Sequence, residues 1–261
     1  MIRALWSSAS GMQAQQMNID VISNNLANVN TSGFKKSTIQ FQDLMYQTEK
    51  VPGSRLADGS STAVGLQVGY GSTPSVTSKS FVQGEMQHTG EQLDVAIEGK
   101  GFFEVQLPDG TLAYTRDGAF KVTQQGQLVT NAGYRINGTA QIDTNATEIA
   151  ISKDGSITVN VNGQLQQLAP ITLANFANPN GLRSIGNNLY VATDASGQVI
   201  TGLAPGTNGM GTIAQGFLET SNVHVVEEMV NMIQAQRAYE INSKAIQTSD
   251  EMLGIINSLK R

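Results

Sequence analysis

Apolar residues recur at alternating steps of three and four along the start of the chain: Ile2, Leu5, Ala9, Met12, Ile19 and Leu26, with Gln16 and Ser23 interrupting. That spacing keeps one face of a helix apolar and reads as a heptad seam. The far end repeats it through Met232, Ala235, Tyr239, Asn242, Ile246, Ser249, Leu253 and Ile256. A second stripe, Ala238, Ala245, Met252 and Leu259, runs beside it. A helix apolar on two neighbouring faces needs more than one partner. The plainer reading is a two-helix cap on a globular domain, but neither helix has a second helix near it in sequence. Terminal helices forming a coiled-coil-like core domain are therefore expected.

Between the helices the period falls from 3.6 to 2. From Leu93 the text reads LDVAIEGKGFFEVQLPDGTLAYTRDGAFKVTQQGQLVTNAGYRING. Turn signals stand at Asp109-Gly110, Asp117-Gly118, Gln125-Gly126, Ala132-Gly133 and Asn137-Gly138, and they continue at Asp154-Gly155, Asn162-Gly163, Asn180-Gly181 and Ser196-Gly197. Such dipeptides supply the positive-φ positions of tight hairpins, and the short runs between them read as strands. The Gly- and Ser-rich stretch from about Thr48 to Thr77 reads as a long extended connection. The expected class is α+β. Its parts are a discontinuous terminal helical core domain (1–30 with 228–261), an extended connecting segment (31–75 with 212–227) and a central all-β domain of many short strands (76–211).

A polar, turn-prone stretch, SNNLANVNTSGFKK from Ser23 to Lys36, follows the first helix directly. Asn24, Asn25, Asn28 and Asn30 can satisfy the backbone groups a helix end leaves orphaned, and Gly33 permits a left-handed turn. They read as the polar turn that ends the first helix.

Composition narrows the chemistry. Charged residues make up 14% of the 261 residues and the net charge is −5, so a polar but weakly charged surface suits packing against other protein. Nucleic-acid binding calls for basic patches, which are absent here. The chain has no cysteine, which excludes a disulfide scaffold, a thiolate zinc site and a Cys nucleophile. The opening MIRALWSSASGMQAQQMN lacks the apolar run of about 7–15 residues that a cleaved signal peptide needs, and no run of about 18 apolar residues predicts a membrane span.

No catalytic, cofactor or metal site is expected. His88 and His224 lie far apart in unlike contexts. Asp143, Asn145 and Thr147, with Asp154 at the twelfth position, resemble the start of a calcium loop. Glu148, however, stands where the loop needs Gly. GTNGMG, from Gly206 to Gly211, has no following Lys and is no phosphate cradle. The pairs Asp94 with Glu98 and Glu104 with Asp109 have nothing nearby to drive their pKa values apart. Matches to Asn-x-Ser/Thr at Asn30, Asn137 and Asn145 are expected by chance in an Asn- and Thr-rich chain. Gln234, Gln236 and Arg237 read as a solvated helix face, or as one lining a lumen.

Three blocks carry a family resemblance: SASGMQAQQMNIDVISNNLANVNTSGFKK, the LDVAIEGKGFFEV and YTRDGAFKVTQQGQLVTNAGYRING pair, and GFLETSNVHVVEEMVNMIQAQRAYEINSKAIQTSDEML. They resemble the terminal helix motifs and central β domain of the axial proteins of the bacterial flagellum, the rod and hook subunits. YQTEKVPGSRLADGSSTAVGLQVGYGS points to a rod subunit within that family. The resemblance implies a self-assembling structural subunit of a rigid hollow shaft that transmits torque and passes exported subunits. It implies as partners further copies of the chain, proximal rod proteins, hook-side subunits, the peptidoglycan- and outer-membrane-ring proteins and the type III export apparatus. It also implies a place in the basal-body rod across the periplasm.

Under that reading Leu5, Ala9, Met12, Ile19, Leu26, Met232, Tyr239, Ile246, Leu253 and Ile256 form the polymerisation core, and Asn24, Asn25, Asn28, Asn30 and Gly33 mark where the chain leaves it. Val51, Leu56, Val64, Leu66, Val68 and Tyr70 are too apolar for a free linker and are expected to strap a neighbouring subunit. The nearer alternative is a sibling axial protein, a proximal rod or hook-type subunit. The more distant is a secreted β-domain binding protein or enzyme, which would need an aromatic-lined cleft, whereas the single tryptophan is Trp6 on the terminal helix.

Overall fold

A computed structural model describes residues 2–51, 64–139, 141–143, 146–207 and 209–259. The chain divides into two compact units, residues 1–26, 37–78 and 224–261 forming the first and residues 27–36 and 79–223 the second.

The first unit holds both long helices, α1 (Ile2–Ala27) and α2 (Val225–Leu259), and four strands, β1 (Ser37–Asp43), β2 (Tyr46–Lys50), β3 (Leu66–Gly69) and β4 (Ser72–Lys79). Glu227 and Glu228 in the first turn of α2 complement the positive end of its dipole. The strands pair as two ribbons, β1 with β4 and β2 with β3.

These features correct the expected class. An α+β description holds, but the helices do not form a coiled coil and residues 37–79 are not a plain extended connection. The side of α1 that is covered runs through Ala14, Ile22 and Asn25, not along the stripe from Leu5 to Leu26. A Cβ added to Gly11 would stand 2.9 Å from the Asn242 side-chain amide nitrogen. Small and polar residues set the approach beside Ile22, so among the described residues the covered side carries no continuous row of apolar knobs. In the connecting segment, period-two spacing of Leu66, Val68 and Tyr70 outweighs the Gly and Ser content, and hairpin pairing results.

The second unit is built from sixteen strands: β5 (Met86–His88), β6 (Val95–Glu98), β7 (Phe102–Gln106), β8 (Leu112–Thr115), β9 (Phe120–Val122), β10 (Leu128–Thr130), β11 (Arg135–Ile136), β12 (Ala146–Ile151), β13 (Ile157–Val161), β14 (Gln164–Leu168), β15 (Leu173–Asn175), β16 (Arg183–Gly186), β17 (Leu189–Val191), β18 (Ile200–Leu203), β19 (Thr212–Gln215) and β20 (Phe217–Glu219). The main sheet has nine strands; seven run in the order β16-β17-β8-β7-β11-β10-β9, and β15 joins β7 and β18. A separate three-stranded sheet has the order β12-β13-β14. Two ribbons, β6 with β19 and β5 with β20, complete the unit.

The central core gathers Val95, Ile97, Phe103, Phe120, Leu128, Ile157, Ile171 and Ile213 among others. A second cluster stacks aromatic rings edge to face: Phe102 on Phe176, Tyr114 on Phe176 and Phe81 on Tyr190, with centroids 5.5, 4.8 and 5.4 Å apart.

A repeat invisible in the hydrophobic pattern organises this unit. Gly126 ends a hairpin loop closed by Thr123 and Gln127, and its C=O accepts from Ile142 N–H at 2.7 Å. One step of 29 residues later, Gly155 ends a loop closed by Ser152 and Ser156, and its C=O accepts from Ile171 N–H at 2.8 Å. The same step relates Leu128 to Ile157 and Ile136 to Leu165. Both modules thus use a glycine with positive φ, +76° at Gly126 and +83° at Gly155, pressed against the returning chain at Ile142 and Ile171. A Cβ at 155 would meet the Ile171 carbonyl oxygen at 2.5 Å, whereas Gly110, in the like loop between β7 and β8, has open space around it. Gly155→Ala is expected to destabilise the unit by about 2–4 kcal/mol, left-handed strain plus a backbone clash, and Gly110→Ala by only about 1–2 kcal/mol. Thermal melts of the two variants measure the difference.

Candidate assembly surfaces

The two sides of α2 are unlike. Glu228, Ala235 and Ser249 are buried, and Asn242, Ile246 and Leu253 on the same side are half-buried. The opposite side carries Val226, Met229, Val230, Ile233, Ile241 and Ile255, all exposed; Val226 is 76% and Ile241 66% accessible. At 3.6 residues per turn Val226, Met229, Val230 and Ile233 form a contiguous apolar patch over the first turns, and Ile241 and Ile255 lie on the same side farther along, among Arg237, Lys244 and Glu251. Apolar surface of this extent on a long helix calls for a partner beyond its own chain.

The sequence-predicted core residues divide between covered and open positions. Leu5, Met12, Ile19 and Leu26 are half-buried and Ala9 is exposed; Met232, Ile246 and Leu253 are half-buried, and Tyr239 and Ile256 are exposed. The outward stripe of α2 was missed at the sequence level. Its residues are interleaved with Arg237, Lys244 and Glu251, so the heptad template passed over them.

Where α1 ends, the chain is held twice. Within the first unit, the side chain of Asn25 behaves like a strand neighbour of Ser37. Its Nδ2 donates to the Ser37 carbonyl at 2.8 Å, and its Oδ1 accepts from Ser37 N–H at 2.9 Å. The same Nδ2 lies 3.1 Å from buried Glu228 Oε2 on α2. Asn25 therefore ties α1, β1 and α2 together. Asn28 closes the following turn by accepting from Thr31 N–H at 3.1 Å, while Asn24 and Asn30 stand exposed.

Within the second unit, Gly33 has a φ of +68° and donates its N–H to the Glu219 carbonyl at 2.8 Å. Beside it lies a buried charge cluster. Lys35, with no accessible surface, donates to Glu219 Oε1 at 2.5 Å and to the Val82 carbonyl at 2.8 Å. Gly84 N–H reaches the same Oε1 at 2.9 Å, and Arg116 lies 3.4 Å from Oε2 while also donating to the Gly99 carbonyl at 2.8 Å. Burial pushes the Lys35 ammonium and the Arg116 guanidinium below their usual values, and the Glu219 carboxylate opposes the shift at both. Burial also pushes the neighbouring Tyr190 phenol up to about 12. Nothing in the sequence pointed to this cluster, because its members are 184 and 103 residues apart.

The residues expected to form a strap lie on the β2–β3 ribbon and its flanks. Val51, Val64, Leu66, Val68 and Tyr70 are all exposed, Val64 at 82%; Leu56 lies outside the described residues. The ribbon is held by a Tyr70 hydroxyl to Gln47 bond of 2.8 Å and is joined to α1 by an ion pair between Arg3 and Glu49. Among the described residues no group of three His, Cys, Asp or Glu could hold a metal, and no helix is long and apolar enough to cross a membrane.

Known proteins resemble this chain along its whole length. Residues 5–35 match the family described as flagella basal body rod protein, residues 96–159 the flagellar hook protein FlgE/F/G D1 domain, and residues 214–259 the flagellar basal body rod FlgEFG protein C-terminal family. The flagellar basal-body rod protein FlgG of Buchnera aphidicola subsp. Acyrthosiphon pisum is 52% identical over 261 residues, covering 99% of this chain and all of the relative. Its counterpart in Borreliella burgdorferi is 51% identical over 265 residues, and that in Bacillus subtilis 42% identical over 269, each covering both chains fully.

Removing the one carboxylate of the buried cluster leaves two cations without their counter-charge. Glu219→Gln is expected to cost about 3–5 kcal/mol. Lys35→Met, which removes one cation and keeps the Arg116–Glu219 pair, is expected to cost clearly less. Urea unfolding followed by far-UV circular dichroism distinguishes the two.

Proposed function

Since this chain belongs to the flagellar basal-body rod proteins and is a structural rod subunit, we propose that it builds the distal rod as a rigid, hollow helical polymer of its own copies. The observation that carries this reading is the second apolar side of α2, which the chain's own α1 and ribbons leave open. In a tube of such helices that side would pack against neighbouring copies, along with the flank of α1 bearing Leu5, Ala9, Met12, Ile19 and Leu26. The polymer would transmit torque from motor to hook and pass exported subunits through its lumen, work that is mechanical rather than catalytic.

The family places the subunit in the flagellar basal body. The shaft would cross the periplasm inside the peptidoglycan- and outer-membrane-ring proteins. Proximal rod proteins would meet it at one end and hook-side subunits at the other, after delivery by the type III export apparatus. A low charge content suits subunits that must pack closely. The β2–β3 ribbon would lie on an adjacent copy, because Val51, Val64, Leu66, Val68 and Tyr70 are apolar and exposed, and a lone two-stranded ribbon is marginal in water.

Ile241→Asp tests the outward stripe. It is expected to change subunit stability by no more than about 0.5 kcal/mol, being exposed, yet to abolish polymerisation by burying an unpaired charge between copies. Thermal melts and electron microscopy read the two effects, and filaments forming at the wild-type concentration would contradict the assignment. Deleting Val51 to Val68 is expected to leave filaments that form but curve or flex, as measured in micrographs; filaments as straight as wild type would contradict the strap.

A further inference from the structure

The second of the two 29-residue modules has an edge that its twin does not. In the first module, β11 is covered on its outer side by β7, with Arg135 opposite Gln106 and Ile136 opposite Val105, and Ile136 is buried. In the second, β14 occupies the corresponding place, and among the described residues no strand pairs with its outer side. Leu165, the equivalent of Ile136, is 78% exposed. The first module thus has a strand neighbour in that position, and among the described residues the second has none.

The other edges of the two larger sheets of the unit are closed or blunted. On β12 the Gln215 side chain imitates a paired strand: its Oε1 accepts from Ile151 N–H at 2.9 Å and its Nε2 donates to the Ile149 carbonyl at 2.7 Å. Strand β16 is bulged between Ser184 and Gly186, and the pairing of β18 with β15 is bulged as well. Strand β9 carries Lys121. Bulges, covers and lysines are the usual means of keeping an edge from pairing. Strand β14, QLQQL, has none of them: its ladder to β13 runs without a register shift from Gln164 to Leu168. Asn162 and Gly163, at φ +52° and +83°, make a two-residue turn closed by Val161 and Gln164. Alternation from that pair turns the N–H and C=O groups of Leu165 and Gln167 away from β13.

We infer that β14 is a docking edge that accepts an extended strand from the next copy of this chain, extending the three-stranded sheet across the subunit boundary. The inference goes beyond the helix contacts proposed above and rests on the polymer reading. Charge favours a second copy as the occupant. Residues 160–168 carry no ionised side chain, whereas the chain as a whole carries −5, so this strip lets like-charged copies meet without repulsion. The contact joins β14 to a strand of one of the neighbour's two-stranded ribbons, because the other edges of the two larger sheets are blunted and β14 against β14 would close a dimer and stop growth.

A photo-crosslinking side chain placed at Leu165 in the full-length chain tests the contact, the products being identified by mass spectrometry. In assembled rods, crosslinks from 165 to a strand of a second copy are expected, and none in dilute monomer. Crosslinks to another protein, to residue 165 of a second copy, or to nothing in intact rods would overturn the inference. A second variant, Gln167→Pro, removes one outward donor and leaves the β13 ladder intact. Its melt should match wild type while the critical concentration for polymerisation rises roughly five- to tenfold, one interface hydrogen bond being lost; an unchanged critical concentration would also overturn it. Because Ile241→Asp probes the helices alone, a failure at β14 leaves the helix reading standing.

Discussion

A helix with apolar side chains on opposite sides can cover only one of them within its own small chain. That constraint governs α2. One side, through Ala235 and Ser249, is closed inside the subunit, and the other, from Val226 to Ile255, stays open. A soluble monomer has no use for such a stripe, whereas a helical polymer needs one on every copy. The lean charge content and the exposed ribbon of Val64, Leu66 and Val68 fit the same demand. The β unit holds its own core, one continuous hydrophobic cluster and a second cluster of edge-to-face aromatics.

The Asn-rich stretch after α1 serves both units. Asn25 replaces a missing strand neighbour for Ser37 and reaches Glu228, which fixes three separate chain segments of the first unit at one point. Ten residues later Lys35 enters the β unit and is neutralised by Glu219. A buried pair of this kind is a poor source of net stability but a strict one of geometry, since any other arrangement strands a charge. A shaft under torque would benefit from chain exits that cannot adopt alternatives. Gly33 belongs to the same arrangement: a Cβ there would stand 2.6 Å from the Asp117 backbone nitrogen.

Much of this was legible in the sequence. The two helices, the many short strands and the turn dipeptides follow from periodicity and from Gly, Asn and Asp placement, and the family followed from three long motifs. The coiled-coil core did not survive, because apolar spacing reports which face could be covered, not which face is. On α1 the covered line runs instead through Gly11, Ala14, Ile22 and Asn25, mostly small or polar residues. The ribbons formed by residues 37–79 were hidden by Gly and Ser, which weaken a strand signal without abolishing pairing. The Lys35–Glu219–Arg116 cluster had no local signal, since its members are distant in sequence; the turns at Gly126 and Gly155 were legible, but not their equivalence, which rests on the backbone contacts to Ile142 and Ile171.

The central claim is that the open side of α2 is an interface between copies. A helical reconstruction of the assembled rod at side-chain resolution tests it most directly. The account predicts Val226, Met229, Val230, Ile233, Ile241 and Ile255 buried against helices of neighbouring copies. Finding that side of α2 facing the solvent of the lumen or the exterior would contradict it.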